Sequence, residues 1–282
     1  MHTLIKNKIV LKKYLTVILA CSIGLCVSLK LQAQNLEIRH PWIAESPKLD
    51  ATAFFTNLKH GDSVKSPFIV QFGMNFWGIA PAGQAGRLTG HHHLLIDTPL
   101  PMLHLTPLPF TEKYQHFGKG QMEGLVSLPP GKHTLRLLLA DHKHVPHFVF
   151  SNEIEINVLP EDSDKEALLK KSNQPELFFI NINDGASLPS YFKVQFHAAG
   201  LNISNKESRL KNTGYFQIQI KQSTGKVEKL EFPSGQTEAW LRVPDGNYKM
   251  QLQFVNNPLG DLNSVKGKEI SIVISKTNGL QK

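Results

Sequence analysis

The chain has 282 residues, with 31 basic and 23 acidic side chains, 41% hydrophobic residues and two cysteines. This length fits about two domains, and the composition is that of a folded globular chain, which excludes fibrous and wholly disordered classes. Most of the net charge of +8 lies in residues 1–33, which contain five lysines and no acid. The rest of the chain has no dense basic run with interleaved aromatics, so a typical nucleic-acid-binding surface is excluded.

The first 33 residues have the order of a secretory signal peptide. Four lysines precede an uncharged, largely apolar run at residues 14–29, and Ala33 offers a small residue before a cleavage site. The run is shorter than the ~20 apolar residues of a membrane span. We therefore expect a signal peptide at residues 1–33, with a retained N-terminal anchor as the alternative. The mature protein is expected to be periplasmic or secreted and to have no membrane span.

Both cysteines, Cys21 and Cys26, lie within this segment. The mature chain would then hold no thiol, which excludes disulfides, cysteine nucleophiles and cysteine-ligated zinc. Each domain must therefore be stabilised by its own apolar core.

The mature chain contains the same unit twice. Residues 54–74 and residues 178–198 are identical at 10 of 21 positions, with an offset of 124. Later pairs, such as Gly120 and Gly235, follow at an offset of 115. The first copy is longer because it contains a proline-rich stretch at residues 98–109. Self-similarity of this kind indicates a tandem repeat.

The repeat predicts two domains and a connection between them. The first domain, at residues 34–159, holds the histidine-rich copy. The second domain, at residues 176–276, holds a degenerate copy. The charged residues 160–175 between them predict a linker with one or two helical turns.

Short segments of alternating character, separated by glycine and proline turns, predict β-strands in both copies. Six or seven such strands in roughly 100 residues are typical of an immunoglobulin-like sandwich. The expected fold class is therefore all-β, with two tandem immunoglobulin-like β-sandwich domains. Tyr248 follows a turn and precedes apolar residues at every second position, which resembles the tyrosine corner of such domains. His133 stands at the matching position of the first copy.

The 13 histidines are concentrated in one copy. Ten of them lie between His60 and His147, whereas the second copy contains only His197. The second copy shows that the scaffold does not need these imidazoles. Features present in the first copy alone are therefore the candidates for function.

Strand alternation sorts the run His91-His92-His93. It predicts that His92 faces the core, where the second copy has Phe216, and that His91 and His93 share the opposite face. Loops at one end of a sandwich can bring further histidines to that face. The candidate metal ligands are His91, His93, His116, His142, His144 and His147.

Imidazoles without thiolates suit Zn²⁺, Cu²⁺ or Ni²⁺, and we expect three or four of the six to bind one ion, copper or zinc. The spacing matches no known metal-enzyme motif, and no catalytic residue is predicted. The alternative is that the histidines form a hydrogen-bonded network that ties the loops to the sheet. In that case the protein is a cell-envelope interaction module that binds a polymer or a protein through the loop end. Both interpretations are non-catalytic.

Four runs in the first copy resemble the domain of unknown function 4399 family over about residues 54–158. The runs are Pro81-Ala82-Gly83 and residues 90–97, 116–123 and 130–135. The resemblance implies an exported, mostly bacterial domain and supplies no catalytic residue. Met122 departs from the family pattern, in which threonine is more usual. The second copy keeps the scaffold but lacks the histidine signature.

Overall fold

The computed structural model describes residues 39–47, 50–102, 104–257 and 264–276. The predicted signal peptide and both cysteines lie outside these ranges. The chain from His40 onward forms one compact unit that holds both copies. Among the described residues, none belongs to a helix long and apolar enough to cross a membrane.

The strands of the first half precede a short helix. They are β1 (Ile43–Ala44), β2 (Ala53–Phe55), β3 (Ser63–Ser66), β4 (Phe68–Met74), β5 (Gly78–Ile79), β6 (Thr89–Ile96), β7 (Tyr114–Phe117), β8 (Glu123–Val126), β9 (Gly131–Ala140), β10 (Pro146–Phe150) and β11 (Ile154–Asp162). Helix α1 (Lys165–Ser172) follows within the predicted linker, and the Asp164 side chain caps it by accepting a hydrogen bond from the Ala167 N–H.

The second half contains strands alone among its described residues. They are β12 (Glu176–Phe179), β13 (Ala186–Leu188), β14 (Tyr191–Ala199), β15 (Asn202–Ile203), β16 (Thr213–Gln222), β17 (Val227–Phe232), β18 (Glu238–Arg242), β19 (Gly246–Asn256), β20 (Val265–Lys266) and β21 (Ile270–Ile274).

The first copy is a sandwich of two sheets. One sheet pairs β2, β4 and β8, and the other has the order β3-β11-β9-β6-β5, with β7 beside β6 and β10 beside β9. Strand β3 pairs with β11 in parallel, whereas β11, β9 and β6 pair antiparallel. The early strands therefore face the late strands across one core, which is the immunoglobulin-like arrangement.

The second copy repeats this topology. Its larger sheet has the order β13-β21-β19-β16-β15, with β17 beside β16, and its smaller sheet pairs β12, β14 and β18. The prediction of an all-β fold with tandem immunoglobulin-like sandwiches is confirmed. One element crosses between the copies: β1, which precedes the first copy, pairs with β18 of the second, so that Ile43 lies opposite Leu241.

Two apolar clusters form the cores. The first copy buries Phe72, Leu94 and Leu137 between its sheets, and each such side chain contributes about 1.5–3 kcal/mol to folding. The larger cluster contains the core of the second copy together with Met74 and Met122 of the first copy. The cores of the two copies are therefore not independent.

Both copies have the predicted corner. The Tyr248 hydroxyl donates a hydrogen bond to the Pro244 carbonyl, at 2.9 Å, which confirms the tyrosine corner. In the first copy, Nε2 of His133 lies 2.9 Å from the Pro129 carbonyl oxygen, and Nδ1 lies 2.7 Å from a carboxylate oxygen of Asp97. An imidazole thus takes the role of the phenol at the same corner.

The two copies contact each other through reciprocal hydrogen bonds. The Ile79 N–H donates to the Gly235 carbonyl at 2.7 Å, and the Ile203 N–H donates to the Gly120 carbonyl at 2.8 Å. Ile79 matches Ile203, and Gly120 matches Gly235, at the two offsets of the repeat. The interface is therefore approximately two-fold symmetric, with the same patch of each copy facing the other.

Glycine is required at this interface for two reasons. Gly120 has a φ of +90°, and a Cβ there would clash with the Ile203 carbonyl oxygen. Gly61 provides a control because it has a similar φ of +87°, but a Cβ at that position would have no other atom within 4 Å. The backbone penalty can therefore be separated from the contact between the copies.

We expect Gly61→Ala to lower the free energy of unfolding by about 1–2 kcal/mol, the cost of left-handed backbone. Gly120→Ala should lower it by about 3–5 kcal/mol, because the copies must also move apart. Guanidinium titration followed by circular dichroism measures both. Equal losses for the two variants would show that the reciprocal contact contributes nothing to stability.

Candidate metal centre

Strand β6 carries the histidine triple, and all of its residues are buried. His92 lies on the inner face against Phe72, with ring centroids 4.7 Å apart. His91 and His93 lie on the opposite face and are also fully buried. The predicted sorting by strand alternation agrees with this placement. The outer face is buried because part of the proline-rich insertion of the first copy, residues 98–109, packs over it. Leu108 of this insertion lies in one apolar cluster with Leu95 of β6.

His116 joins this face from the neighbouring strand. Strand β7 pairs antiparallel with β6, and the register places His116 directly opposite His93. Such cross-strand neighbours have Cβ atoms about 4.5–5.5 Å apart. Sequence pattern alone places His116 just before a strand, whereas it lies within an additional edge strand, whose pairing sets its position.

His144 reaches the cluster from the turn between β9 and β10. The Asp141 side chain accepts hydrogen bonds from the N–H groups of Lys143 and Val145, at 2.7 and 2.9 Å. His144 itself has a φ of +66°, a conformation that few non-glycine residues adopt. Its carbonyl accepts a hydrogen bond from the Leu108 N–H, at 2.8 Å. The turn therefore holds His144 against the insertion.

The four imidazoles lie in mutual contact. One ring nitrogen from each of His91, His93 and His116 lies within 4.8 Å of the other two. The Nε2 atoms of His91 and His93 are 3.1 Å apart, close to the roughly 3.3 Å between two nitrogens bound to one zinc ion. The His144 ring centroid lies 5.0 Å from that of His91 and 4.8 Å from that of His116.

Burial keeps the imidazoles of His91, His93 and His116 neutral. Loss of hydration, followed by repulsion from the other histidines, lowers the pKa of His91 to about 3 and the pKa of His93 to about 2. Burial and His144 also lower the pKa of His116. A neutral imidazole is the form that binds a metal ion. His91, His93 and His116 are therefore in the form that can bind a metal ion at neutral pH.

Several of these nitrogens have no protein partner. Within the part of the chain that the structure describes, Nε2 of His116 and Nε2 of His144 are buried without a hydrogen bond. Buried polar atoms are normally paired. An aromatic ring covers the cluster, since the Phe110 centroid lies 5.3 Å from that of His116 and 5.0 Å from that of His144. Sequence pattern does not identify Phe110 as part of the site, because its contacts with His116 and His144 form only in the folded chain.

The remaining two candidates lie apart from the four. His142 points to the Asp141 carboxylate, 3.9 Å away. His147 packs edge-on against Trp77, with centroids 4.7 Å apart, and hydrogen-bonds the backbone of Thr89. The structure thus brings together His91, His93, His116 and His144, and it does not bring His142 or His147 to them.

The second copy carries different residues at the equivalent positions. Tyr215 and Gln217 match His91 and His93, and the strand register places Glu231 opposite Gln217, as His116 is opposite His93. Glu231 accepts hydrogen bonds from Gln217 at 3.3 Å and from the Lys206 ammonium group at 3.0 Å.

Lys206 has its own counterpart in the first copy. Its N–H donates to the Pro233 carbonyl, and the N–H of Ala82 makes the matching bond to Gly118. The ammonium group lies 5.8 Å from the Tyr215 ring centroid. The second copy therefore places a cation, the Lys206 ammonium group, beside Tyr215, Gln217 and Glu231. The first copy has the short side chain of Ala82 at the position equivalent to Lys206.

A tandem immunoglobulin-like β-sandwich with a buried histidine cluster in one copy defines a protein module with a candidate metal centre. The chain belongs to the family described as Domain of unknown function (DUF4399), which matches residues 70–159 and 194–275. The two matched regions correspond to the two copies, so the predicted family and the second copy are both confirmed. A comparison with curated proteins gave no match.

The chain is also similar, at low sequence identity, to several solved structures. The fibronectin(III)-like modules of Clostridium thermocellum CbhA are 9% identical, with 79% of this chain and 93% of that chain covered and a TM-score of 0.22. Two fibronectin type III domains of chicken tenascin are 11% identical, with coverages of 79% and 97% and a TM-score of 0.20. A tetra-tandem repeat of a large adhesion protein is 9% identical, with 80% of this chain and 49% of that chain covered and a TM-score of 0.23.

His92 provides a test of the core on the other face of β6. Both of its ring nitrogens are buried without a partner among the described residues, and burial lowers its pKa to about 3. The second copy has Phe216 there, packed on Phe196 at 5.1 Å, as His92 packs on Phe72. A phenylalanine therefore fits this environment.

We expect His92→Phe to raise the free energy of unfolding at pH 7 by about 1–2 kcal/mol, since an unpaired buried polar ring is removed. The folded pKa of His92 lies below its unfolded value, so stability falls as the pH drops from about 6.5 towards 3. The gain should therefore grow by about 1.4 kcal/mol per pH unit below 6.5. Urea titrations at pH 7 and pH 5 measure it, with Phe216→His as the mirror control, and a gain independent of pH would contradict the assignment.

Proposed function

We propose that this protein is an exported, non-catalytic module that binds a transition metal ion, copper or zinc, through the first copy. The observation that carries the proposal is the cluster of three imidazoles, two buried and one half-buried, with one ring nitrogen from each within 4.8 Å of the others. His144 lies in ring contact with it. Imidazole nitrogens are borderline ligands that suit these ions.

The electrostatics of the site support this proposal. The imidazoles are held neutral by burial, so an entering cation meets ligands without competing protons. The second copy supports it as well, because Lys206 brings a positive charge to the residues that are equivalent to the three grouped histidines. The first copy has the uncharged Ala82 at that position and no acid among its three grouped residues. Because the first copy supplies no side-chain cation at this position, its site is suited to a bound metal ion.

Metal content is the direct test. The chain from Gln34 to Lys282, purified without an affinity tag, is expected to hold one metal ion per molecule by mass spectrometry. His91→Ala with His93→Ala should remove it, because two of the grouped nitrogens are lost. His142→Ala with His147→Ala is the matched control and should keep the metal, since these residues lie outside the cluster.

If the two double variants held equal amounts of metal, the ion would bind outside the histidine cluster. Metal-free parent protein that takes up neither Cu²⁺ nor Zn²⁺ in calorimetric titration would overturn the proposal. The loop end would then be an interaction surface of the cell-envelope module, consistent with the exposed side chains of Met102, Leu105, Phe110 and Phe148.

Export is part of the proposal and rests on the order of basic, apolar and small residues in residues 1–33. Expression in a bacterial host is expected to give a mature chain that begins at Gln34 and is released with the periplasmic fraction. Intact-mass measurement of that fraction checks this. A chain that keeps its first 33 residues and sediments with membranes would instead identify an N-terminal anchor.

A further inference from the structure

We infer that the histidine cluster holds one d¹⁰ cation, Zn²⁺ or Cu⁺, in tetrahedral coordination by four imidazoles, with His144 as the fourth ligand. This inference rests on the proposed metal binding and adds the coordination geometry and the class of ion. It is carried by the relative positions of the four rings, all of which belong to the described residues.

Six distances join the four ring centroids. They are 5.0 Å for His91–His93, 4.9 Å for His91–His116, 5.0 Å for His91–His144, 4.9 Å for His93–His116, 6.0 Å for His93–His144 and 4.8 Å for His116–His144. Five of the six are nearly equal. Four points with nearly equal mutual distances form a tetrahedron.

The scale of this tetrahedron fits a metal ion. With the metal–nitrogen distance of a zinc–imidazole bond, a ring centroid lies about 3.2 Å from the ion, and tetrahedral centroids lie about 5.2 Å apart. A square arrangement with sides of about 4.9 Å would need two diagonals of about 6.9 Å. The longest observed distance is 6.0 Å, between His93 and His144, and no second long distance accompanies it.

Geometry of this kind separates the ions. Cu²⁺ and Ni²⁺ prefer square-planar or tetragonal sites, whereas a d¹⁰ ion has no geometric preference of its own and takes the tetrahedron that the protein offers. Strands β6 and β7 fix three of the rings by their register, so the site has little freedom to flatten. The ring arrangement therefore favours Zn²⁺ and Cu⁺.

His144 is in place to complete the set. Its Nε2 atom is buried and unpartnered among the described residues, while its backbone is held by the Asp141 turn and by Leu108. Its ring nitrogens are not among those of the three-residue group, so binding requires a rotation of this side chain, together with a smaller approach of the His116 ring to the other two. A fixed backbone with one adjustable ring is suited to closing the site over an ion.

The site is closed around His91 and His93 and half-buried at His116 and His144. His91 and His93 have no exposed surface, and Phe110 contacts the His116 and His144 rings edge-on. Four protein ligands without an open position are typical of structural or storage sites, whereas catalytic zinc sites keep one position for water. A full set of four protein ligands agrees with a module that holds an ion rather than one that uses it for catalysis.

Cobalt substitution tests the geometry. Metal-free protein titrated with Co²⁺ is expected to show the visible absorption of tetrahedral Co²⁺, roughly tenfold stronger than that of six-coordinate Co²⁺. His144→Ala should shift and weaken this band, because water replaces the fourth imidazole, and should weaken Zn²⁺ binding roughly 100-fold. His142→Ala, two residues away in the same turn, is the matched control and should leave both unchanged.

The outcomes separate this inference from the proposed function. Weak six-coordinate absorption, or equal behaviour of the two variants, would overturn the tetrahedral site while metal binding itself stands. Stoichiometric Cu²⁺ with a tetragonal electron paramagnetic resonance spectrum would do the same. Competition between Zn²⁺ and Cu⁺ under anaerobic conditions, each buffered by a chelator, then identifies the d¹⁰ ion.

Discussion

Burial of both faces of strand β6 is the constraint on which the candidate site depends. An immunoglobulin-like sheet normally buries one face in the core and leaves the other to water. In the first copy the insertion at residues 98–109 packs over the outer face, where Leu108 is buried. His91 and His93 therefore lose their hydration, and neutral imidazole becomes the stable form. A surface patch of the same histidines would be hydrated, independently mobile and partly protonated.

The second copy contributes to this site through the scaffold. Gly118 and Gly120 follow β7, the strand that carries His116, and their carbonyls accept hydrogen bonds from Ala82 and Ile203. A few residues further, Glu123 lies 3.2 Å from His197 of the second copy. The chain beyond His116 is thus held from both copies. Duplication supplied a partner surface of the same shape, so the reciprocal interface needed no new fold.

The sequence predicted the repeat, the sandwich class, the tyrosine corner and the two faces of β6, because all of these follow from local period and from comparison of the copies. It did not predict the pairing of β1 with β18, or the position of His116 on an edge strand. Both depend on contacts between distant segments. His142 and His147 illustrate the same limit: they lie two and three residues from His144 in sequence, but their side chains do not reach the cluster once the Asp141 hydrogen bonds fix the turn.

The two copies also differ in how far their grouped polar side chains satisfy one another. In the second copy, Glu231 pairs with Gln217 and Lys206, so its polar groups satisfy one another. The four imidazoles of the first copy share one ring-to-ring hydrogen bond, that between His91 and His93, among the described residues. Each unpaired buried polar group costs about 1–3 kcal/mol, and His144 adds the strain of its backbone. A scaffold selected for stability alone would adopt the arrangement of the second copy, whereas the proposed metal ion would engage one nitrogen of every ring at once.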